Sequence, residues 1–310
     1  MNNSTSSSSA LLSMAAGMTA VSIFGIIGNF LLLLVIIRSK KLLDPTYLFI
    51  INVAASDLTT SIQVFVVNFF SLTNIPLSNF AWSIFCKVLS FVYYASLLTS
   101  SFSLALISLY RLKMVSDPIH FRSTSFIYKH RSKWMIAIWT VSFSISIPGF
   151  PLTTYNSDFK TCMTGSSFDP ILNQTFYAVV MIVGYVIPAI VMLFCYVKIF
   201  RKLLSRVKQA EHNNNRSQIN RSLNAVKFMV VTSSVYMILI LPFGIFMAGI
   251  TQVNTTQFDS STTNSPLSVA FTYITGVGYL KCLINPILFL FFDKNIRSNL
   301  VRILPIKNYS

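Results

Sequence analysis

Residues 176–200 read Phe176-Tyr-Ala-Val-Val-Met-Ile-Val-Gly-Tyr-Val-Ile-Pro-Ala-Ile-Val-Met-Leu-Phe-Cys-Tyr-Val-Lys-Ile-Phe200, with one charged residue, Lys198, near the end. A helix of about 20 apolar residues crosses the hydrocarbon core of a bilayer. In lipid every backbone N–H and C=O needs a partner inside the segment, and a helix supplies it. Six further stretches share this character: 14–37, 47–72, 83–112, 134–151, 225–250 and 267–292. Each ends in polar or charged residues, and the connections between them are short. The whole chain agrees, with 54% hydrophobic and 10% charged residues, where a soluble domain carries about 25% charged. So few charges do not make a water-facing surface, so lipid must cover much of it. The expected fold is all-α, a seven-transmembrane helix bundle over residues 14–292. Residues 293–310 add a short C-terminal amphipathic helix and tail.

Charge placement orients these spans. With the N-terminus outside, the cytoplasmic segments hold 21 of the 24 basic residues, among them Arg38, Arg111, Arg131, Arg201, Arg216 and Arg297. The exterior keeps only Lys87 and Lys160, and Lys281 falls inside the last span. This is the positive-inside pattern. It accounts for most of the net charge of +16 through topology and contact with lipid headgroups, so no nucleic-acid partner is expected. Residues 1–13 are polar, uncharged and rich in Asn, Ser and Thr, and are expected to be a disordered extracellular N-terminus. No basic residue precedes Arg38, so the first apolar run is read as a retained span rather than a cleaved signal. Asn2, Asn3, Asn173 and Asn254 begin N-x-[ST] sequons on exterior segments, and glycans are expected there. Asn215, Asn220 and Asn308 match the same pattern on the cytoplasmic side.

Two ionisable residues lie within spans, Asp57 in the second and Lys281 in the seventh. One charge at the bilayer centre costs at least about 2.5–3.5 kcal/mol on insertion scales, and two opposite charges offset each other by pairing. The bland reading of such a pair is a salt bridge that pins two helices. Cys86, at the exterior start of the third span, and Cys162, in the second exterior loop, both face an oxidising compartment and are expected to form a disulfide. Cys195 and Cys282 fall inside spans and read as small core residues. Pro188, Pro242 and Pro286 interrupt the fifth, sixth and seventh spans and are candidate hinges, or else static bends. His120, His130 and His212 are scattered on the cytoplasmic side. There is no HExxH, P-loop or nucleophile elbow, so neither an enzyme nor a bound metal or cofactor is expected.

Several motifs recur in a fixed order. Gly28-Asn29 opens the series, followed by Asn52-Val-Ala-Ala-Ser-Asp57-Leu58. Cys86 stands 25 residues before Arg111, and Pro118 seven residues after it. Trp139, then Pro188 and Tyr196 eight apart, and finally Asn285-Pro286-Ile-Leu-Phe289 complete the set. Together they resemble the rhodopsin-like (class A) G-protein-coupled receptors, over nearly all of the chain. Residues 291–300 resemble that family's short helix along the membrane face. The resemblance implies a receptor that passes an extracellular ligand signal to a heterotrimeric G protein. It implies that Arg111 moves to contact the G protein, with Tyr110, Tyr196 and Phe289 around it. It implies a polar network of Asn29, Asp57, Ser100 and Asn285, which in relatives holds a sodium ion.

Departures from the family pattern mark what is particular to this chain. The acidic residue before the signature Arg is Tyr110, and the Tyr after it is Leu112. The sixth span reads Leu239-Ile240-Leu241-Pro242 with no Trp before the Pro, and Tyr236 stands where Phe is usual. Phe289 replaces the tyrosine of NPxxY. Lys281 stands where relatives carry a neutral polar residue, so its ammonium is expected to pair with Asp57 in place of sodium. The position of the amine-binding Asp is Tyr93, which disfavours a biogenic amine. The position of the retinal-binding Lys is Tyr279, and Lys281 lies about 200° further round the helix. The expected pocket is lined by Tyr93, Leu97, Met247, Tyr273 and Tyr279, with a peptide as first ligand and a lipid-like small molecule as second. The rival readings are a small secondary transporter working through Asp57 and Lys281, and a receptor-like protein that binds without signalling. No internal repeat supports the transporter.

Overall fold

A computed structural model describes residues 2–39, 45–73, 78–117, 126–156, 161–164, 170–210, 216–250 and 266–303. The first three spans are α1 (Asn2–Arg38), α2 (Pro45–Thr73) and α3 (Asn79–Ser116). A short turn of helix, α4 (Phe126–Lys129), leads into α5 (Arg131–Ser146), the fourth span. The fifth span joins α6 (Pro170–Met181) to α7 (Ile187–Ala210) through a π-helical segment, Ile182–Val186. The sixth and seventh spans are α8 (Arg216–Ile250) and α9 (Pro266–Phe292), and α10 (Lys294–Ile303) follows.

Six of these spans are long and apolar enough to cross a membrane by themselves. The fourth is shorter, because α5 stops at Ser146 and continues as a 3₁₀ turn, Ile147–Gly149, around Pro148. At 1.5 Å per residue α5 is about 24 Å long, and the turn adds about 6 Å, which together match the hydrocarbon thickness. At the other end, α1 begins at Asn2 rather than at the first apolar residues. Once the apolar span has nucleated a helix, adding Ser and Thr turns fixes one residue per hydrogen bond and costs little. The N-terminal segment expected to be disordered is therefore an extension of the first span.

Neighbouring helices pack in a ring, with α1 on α2 and α9, α7 on α8, and α8 on α9. The third span is the central column, packed on α2, α5 and α7. In its most apolar window 72% of residues are buried, against 28% for the fifth span. Outward-facing Phe24, Phe30, Ile136, Leu193 and Phe194 are exposed, as a lipid-facing surface requires. Polar residues on that surface hydrogen-bond to their own helix, as Thr140 does to the Ile136 carbonyl (3.0 Å) and Ser144 to that of Thr140 (2.9 Å).

Close approach explains two glycines. A Cβ on Gly25 would lie 2.5 Å from Ser61 Oγ, and one on Gly28 3.0 Å from Pro286 Cγ. These contacts let the first span press against the second and seventh. In the fifth span, the π segment stands immediately before Pro188, and the Ile187 amide donates to the Ile182 carbonyl. The wider turn accommodates the proline ring without breaking the span.

Above the disulfide end of α3 sits a small antiparallel hairpin, β1 (Thr153–Asn156) and β2 (Thr161–Thr164), with Tyr155 opposite Cys162. Cys162 bonds to Cys86 with a Cα–Cα distance of 5.4 Å, and Tyr155 stacks on Trp82 at 5.2 Å. At the opposite end Asp293 caps α10, accepting from the amides of Asn295 (2.9 Å) and Ile296 (3.1 Å). Asn295 also donates to the Tyr47 hydroxyl at 2.8 Å, which ties the short helix to α2. Ile296 is fully buried while Lys294 and Arg297 face outward.

Candidate functional site

The polar core is built where α1, α2, α3 and α9 meet. Asp57 is fully buried and both carboxylate oxygens are engaged. The Lys281 ammonium lies 2.6 Å from Oδ1, and Ser100 donates to the same oxygen at 3.2 Å. Asn285 donates to Oδ2 at 2.7 Å. Asn29 bridges spans one and seven, giving its two protons to the carbonyls of Gly25 (2.9 Å) and Cys282 (2.8 Å). Ser56 joins through a 2.6 Å bond to Ser100. All five residues of the sequence expectation are thus in one cluster, and the structure adds Ser56 and Cys282, whose Sγ is 3.9 Å from Asp57.

This geometry does not suit a sodium ion. The ion needs oxygen ligands around an open position beside Asp57. That position holds the Lys281 nitrogen, and Lys281 is only 1% exposed. Two cations about 4 Å apart repel by about 4 kcal/mol at an effective dielectric of 20. The ammonium and the carboxylate instead neutralise each other, and the Ser100 hydroxyl and Asn285 amide fill further acceptor sites on the carboxylate.

A second cluster lies nearer the disulfide end. Tyr93 meets Tyr279 and Phe243 edge-on, each at 5.9 Å between ring centres, and Tyr94 at 5.5 Å. Tyr94 in turn packs against Phe176 and hydrogen-bonds to the Tyr177 hydroxyl at 3.3 Å. Leu97 is buried one turn below Tyr93. Of the expected pocket residues, Tyr93, Leu97 and Tyr279 belong to this region. Tyr273 is 52% exposed and lies outside this buried cluster, and the side chain of Met247 lies outside the described residues. Nothing in the sequence marks Tyr94, Phe176, Tyr177 and Phe243, because buried aromatics read as ordinary packing in a chain with 27 Phe.

At the Arg111 end the four expected coupling residues separate into four environments. Tyr110 is 1% exposed and packs edge-on against Phe49 of α2 at 6.5 Å. The place of an acidic residue is therefore taken by an apolar contact. Arg111 is half-buried, and its Nε has no hydrogen-bond partner among the described residues. Tyr196 spans from the fifth to the sixth helix, with its hydroxyl 2.7 Å from Ser233 Oγ and 3.3 Å from the Met229 carbonyl. Phe289 packs on Phe228 of α8 at 5.4 Å and lines a small apolar void with Ile50, Leu104, Ile107, Met229, Thr232 and Ser233.

Pro242 and Pro286 lie inside α8 and α9, and Pro188 follows the π segment. Asn173 sits in α6 and is 9% exposed, an environment that does not suit a glycan acceptor. The sequon and its exterior position carry no information about this helical setting. The side chains of Asn2 and Asn3, and the whole of Asn254, lie outside the described residues.

Comparison with known proteins adds a further line. The sequence profile of the 7 transmembrane receptor (rhodopsin family) matches residues 28–289. C-C chemokine receptor type 4 from Homo sapiens is 26% identical over 289 residues, covering 91% of this chain and 75% of that one. G-protein coupled receptor 183 from Homo sapiens is 22% identical over 307 residues, covering 96% and 82%. C-X-C chemokine receptor type 5 from Homo sapiens is 24% identical over 300 residues, covering 92% and 74%.

Proposed function

This chain belongs to the rhodopsin family of seven-transmembrane receptors, and on that premise we propose that it transmits the binding of an extracellular peptide to a heterotrimeric G protein. It is a multi-pass membrane receptor. The observation that carries the signalling reading is the family match across all seven spans, with Arg111 at the basic end of the third. The positive-inside distribution supports an extracellular N-terminus. It also supports a G-protein contact at the end that carries Arg111.

The peptide reading rests on relatives whose names give a chemokine as ligand. It is also supported by the hairpin held over α3 by the Cys86–Cys162 bridge, which frames the mouth of the bundle. A lipid-like ligand is the second reading, favoured by the uncharged aromatic cluster around Tyr93 and Tyr279. The test is guanine-nucleotide exchange on purified heterotrimers by the receptor in lipid nanodiscs, with peptide and lipid panels applied separately. Peptide-stimulated exchange is the expected result. Exchange with lipids alone would move the ligand to the second class. A chain that binds but never stimulates exchange would contradict the signalling reading.

A further inference from the structure

We propose that Tyr236 is the positioning residue that ties the intramembrane ion pair to the sixth span, and that its hydroxyl sets how closely that span stands against the third. Tyr236 is 1% exposed, among the largest fully buried side chains. Its hydroxyl donates to the Leu97 carbonyl of α3 at 3.0 Å. Its ring lies 5.6 Å from the Lys281 ammonium, within cation–π reach, and Lys281 is held 2.6 Å from Asp57. One side chain on α8 therefore touches α3 and α9, and through Lys281 reaches α2.

The other attachments of the sixth span make this contact distinctive. Tyr185 donates to the Met237 carbonyl at 3.3 Å, and Tyr196 reaches Met229 and Ser233. All of these run to the fifth span, so they travel with α8 if both helices shift. Among the described residues, the Tyr236 hydroxyl joins α8 to the central column, at the Leu97 carbonyl and beside the Ser101 hydroxyl of the same helix. Toward the Arg111 end the packing between α8, α3 and α9 is apolar and leaves the small void beside Phe289. Pro242, six residues beyond Tyr236, lacks an amide proton and frees the Ile238 carbonyl from the helical ladder. The segment of α8 below that proline has a bend point above it and, among the described residues, the Tyr236 hydroxyl as its polar restraint against α3.

The position of the span follows from these contacts alone; the consequence for signalling rests on the receptor reading. Spin labels at Lys113→Cys on α3 and Lys227→Cys on α8, both exposed positions, report the α3–α8 distance in the full chain in nanodiscs. Cys195 and Cys282 are buried, and their protection from a thiol reagent shows that each variant is folded. Tyr236→Phe removes the hydroxyl and keeps the ring over Lys281. It is expected to raise the population of a longer distance roughly fivefold, the weight of one ordinary hydrogen bond, and to raise ligand-free nucleotide exchange in proportion. Tyr185→Phe removes a hydroxyl bond to the fifth span and is expected to leave the distance unchanged. An unaltered distance in folded Tyr236→Phe, or equal lengthening in both variants, overturns the proposal. Lengthening confined to Tyr236→Phe, with no exchange by any form of the protein, supports the restraint and refutes the receptor reading instead.

Discussion

Asp57→Asn is expected to lower the stability of the bundle by about 3–5 kcal/mol, the usual penalty for removing one partner of a buried ion pair. The loss comes from the charge left behind. Lys281 is 1% exposed and its partner in the ion pair is Asp57. Once the carboxylate is gone the ammonium has neither water nor counter-charge, and it must deprotonate or drag solvent into the core. Removing both charges together has the opposite logic. Asp57→Asn with Lys281→Met leaves no orphan charge, and Met keeps most of the lysine stem's volume among its neighbours. The double variant is expected to recover most of the loss. Melting curves followed by thiol-dye labelling of Cys195, which is buried until helices separate, would rank the three proteins. A double variant that melts no higher than the single one would show that Lys281 and Asp57 are not energetically coupled.

The second large effect is expected from the disulfide. Cys86 and Cys162 are separated by 76 residues, and closing a loop of that length corresponds to about 4.5 kcal/mol in the chain-entropy account. The bridge also positions the hairpin, because β2 carries Cys162 and β1 carries Tyr155 on Trp82. Cys86→Ser, Cys162→Ser and the double variant should all lose the same stability, since each removes the same bond. Cell-surface ligand binding and melting temperature check this together. Losses that add in the double variant would mean that the two sulfurs act separately.

The spans were legible because lipid imposes one strong rule, a long uninterrupted apolar helix, and residues such as 176–200 obey it without ambiguity. What the rule does not reach was less legible. The hairpin strands are four residues each and rich in Thr, too short for alternation to stand out. The fourth span is completed by a 3₁₀ turn that hydropathy does not distinguish from helix. The same division holds in the site. Asp57 and Lys281 announce themselves as charges where charges are expensive, and the family motifs place Asn29, Ser100 and Asn285 around them. Ser56 and Cys282 carry no such mark, and Tyr236 stands out only as a Tyr where Phe is usual. A small hydroxyl, a thiol and a buried ring look like packing until their partners are known. Tyr110 shows the reverse case, a motif position beside Arg111 whose side chain turns away to Phe49.

With Lys281 as the positive charge of the polar core, no place is left for a bound metal cation beside Asp57. A ligand at free concentration L that binds the native state raises its stability by RT ln(1 + L/Kd), so the melting temperature climbs with the logarithm of its concentration above the dissociation constant. Melting of the purified protein in sodium chloride and in choline chloride at equal ionic strength therefore reads the site directly, without knowledge of the receptor's ligand. The same melting temperature in both salts is the predicted result. A higher melting temperature in sodium, rising with the logarithm of its concentration and abolished by Asp57→Asn, would contradict it.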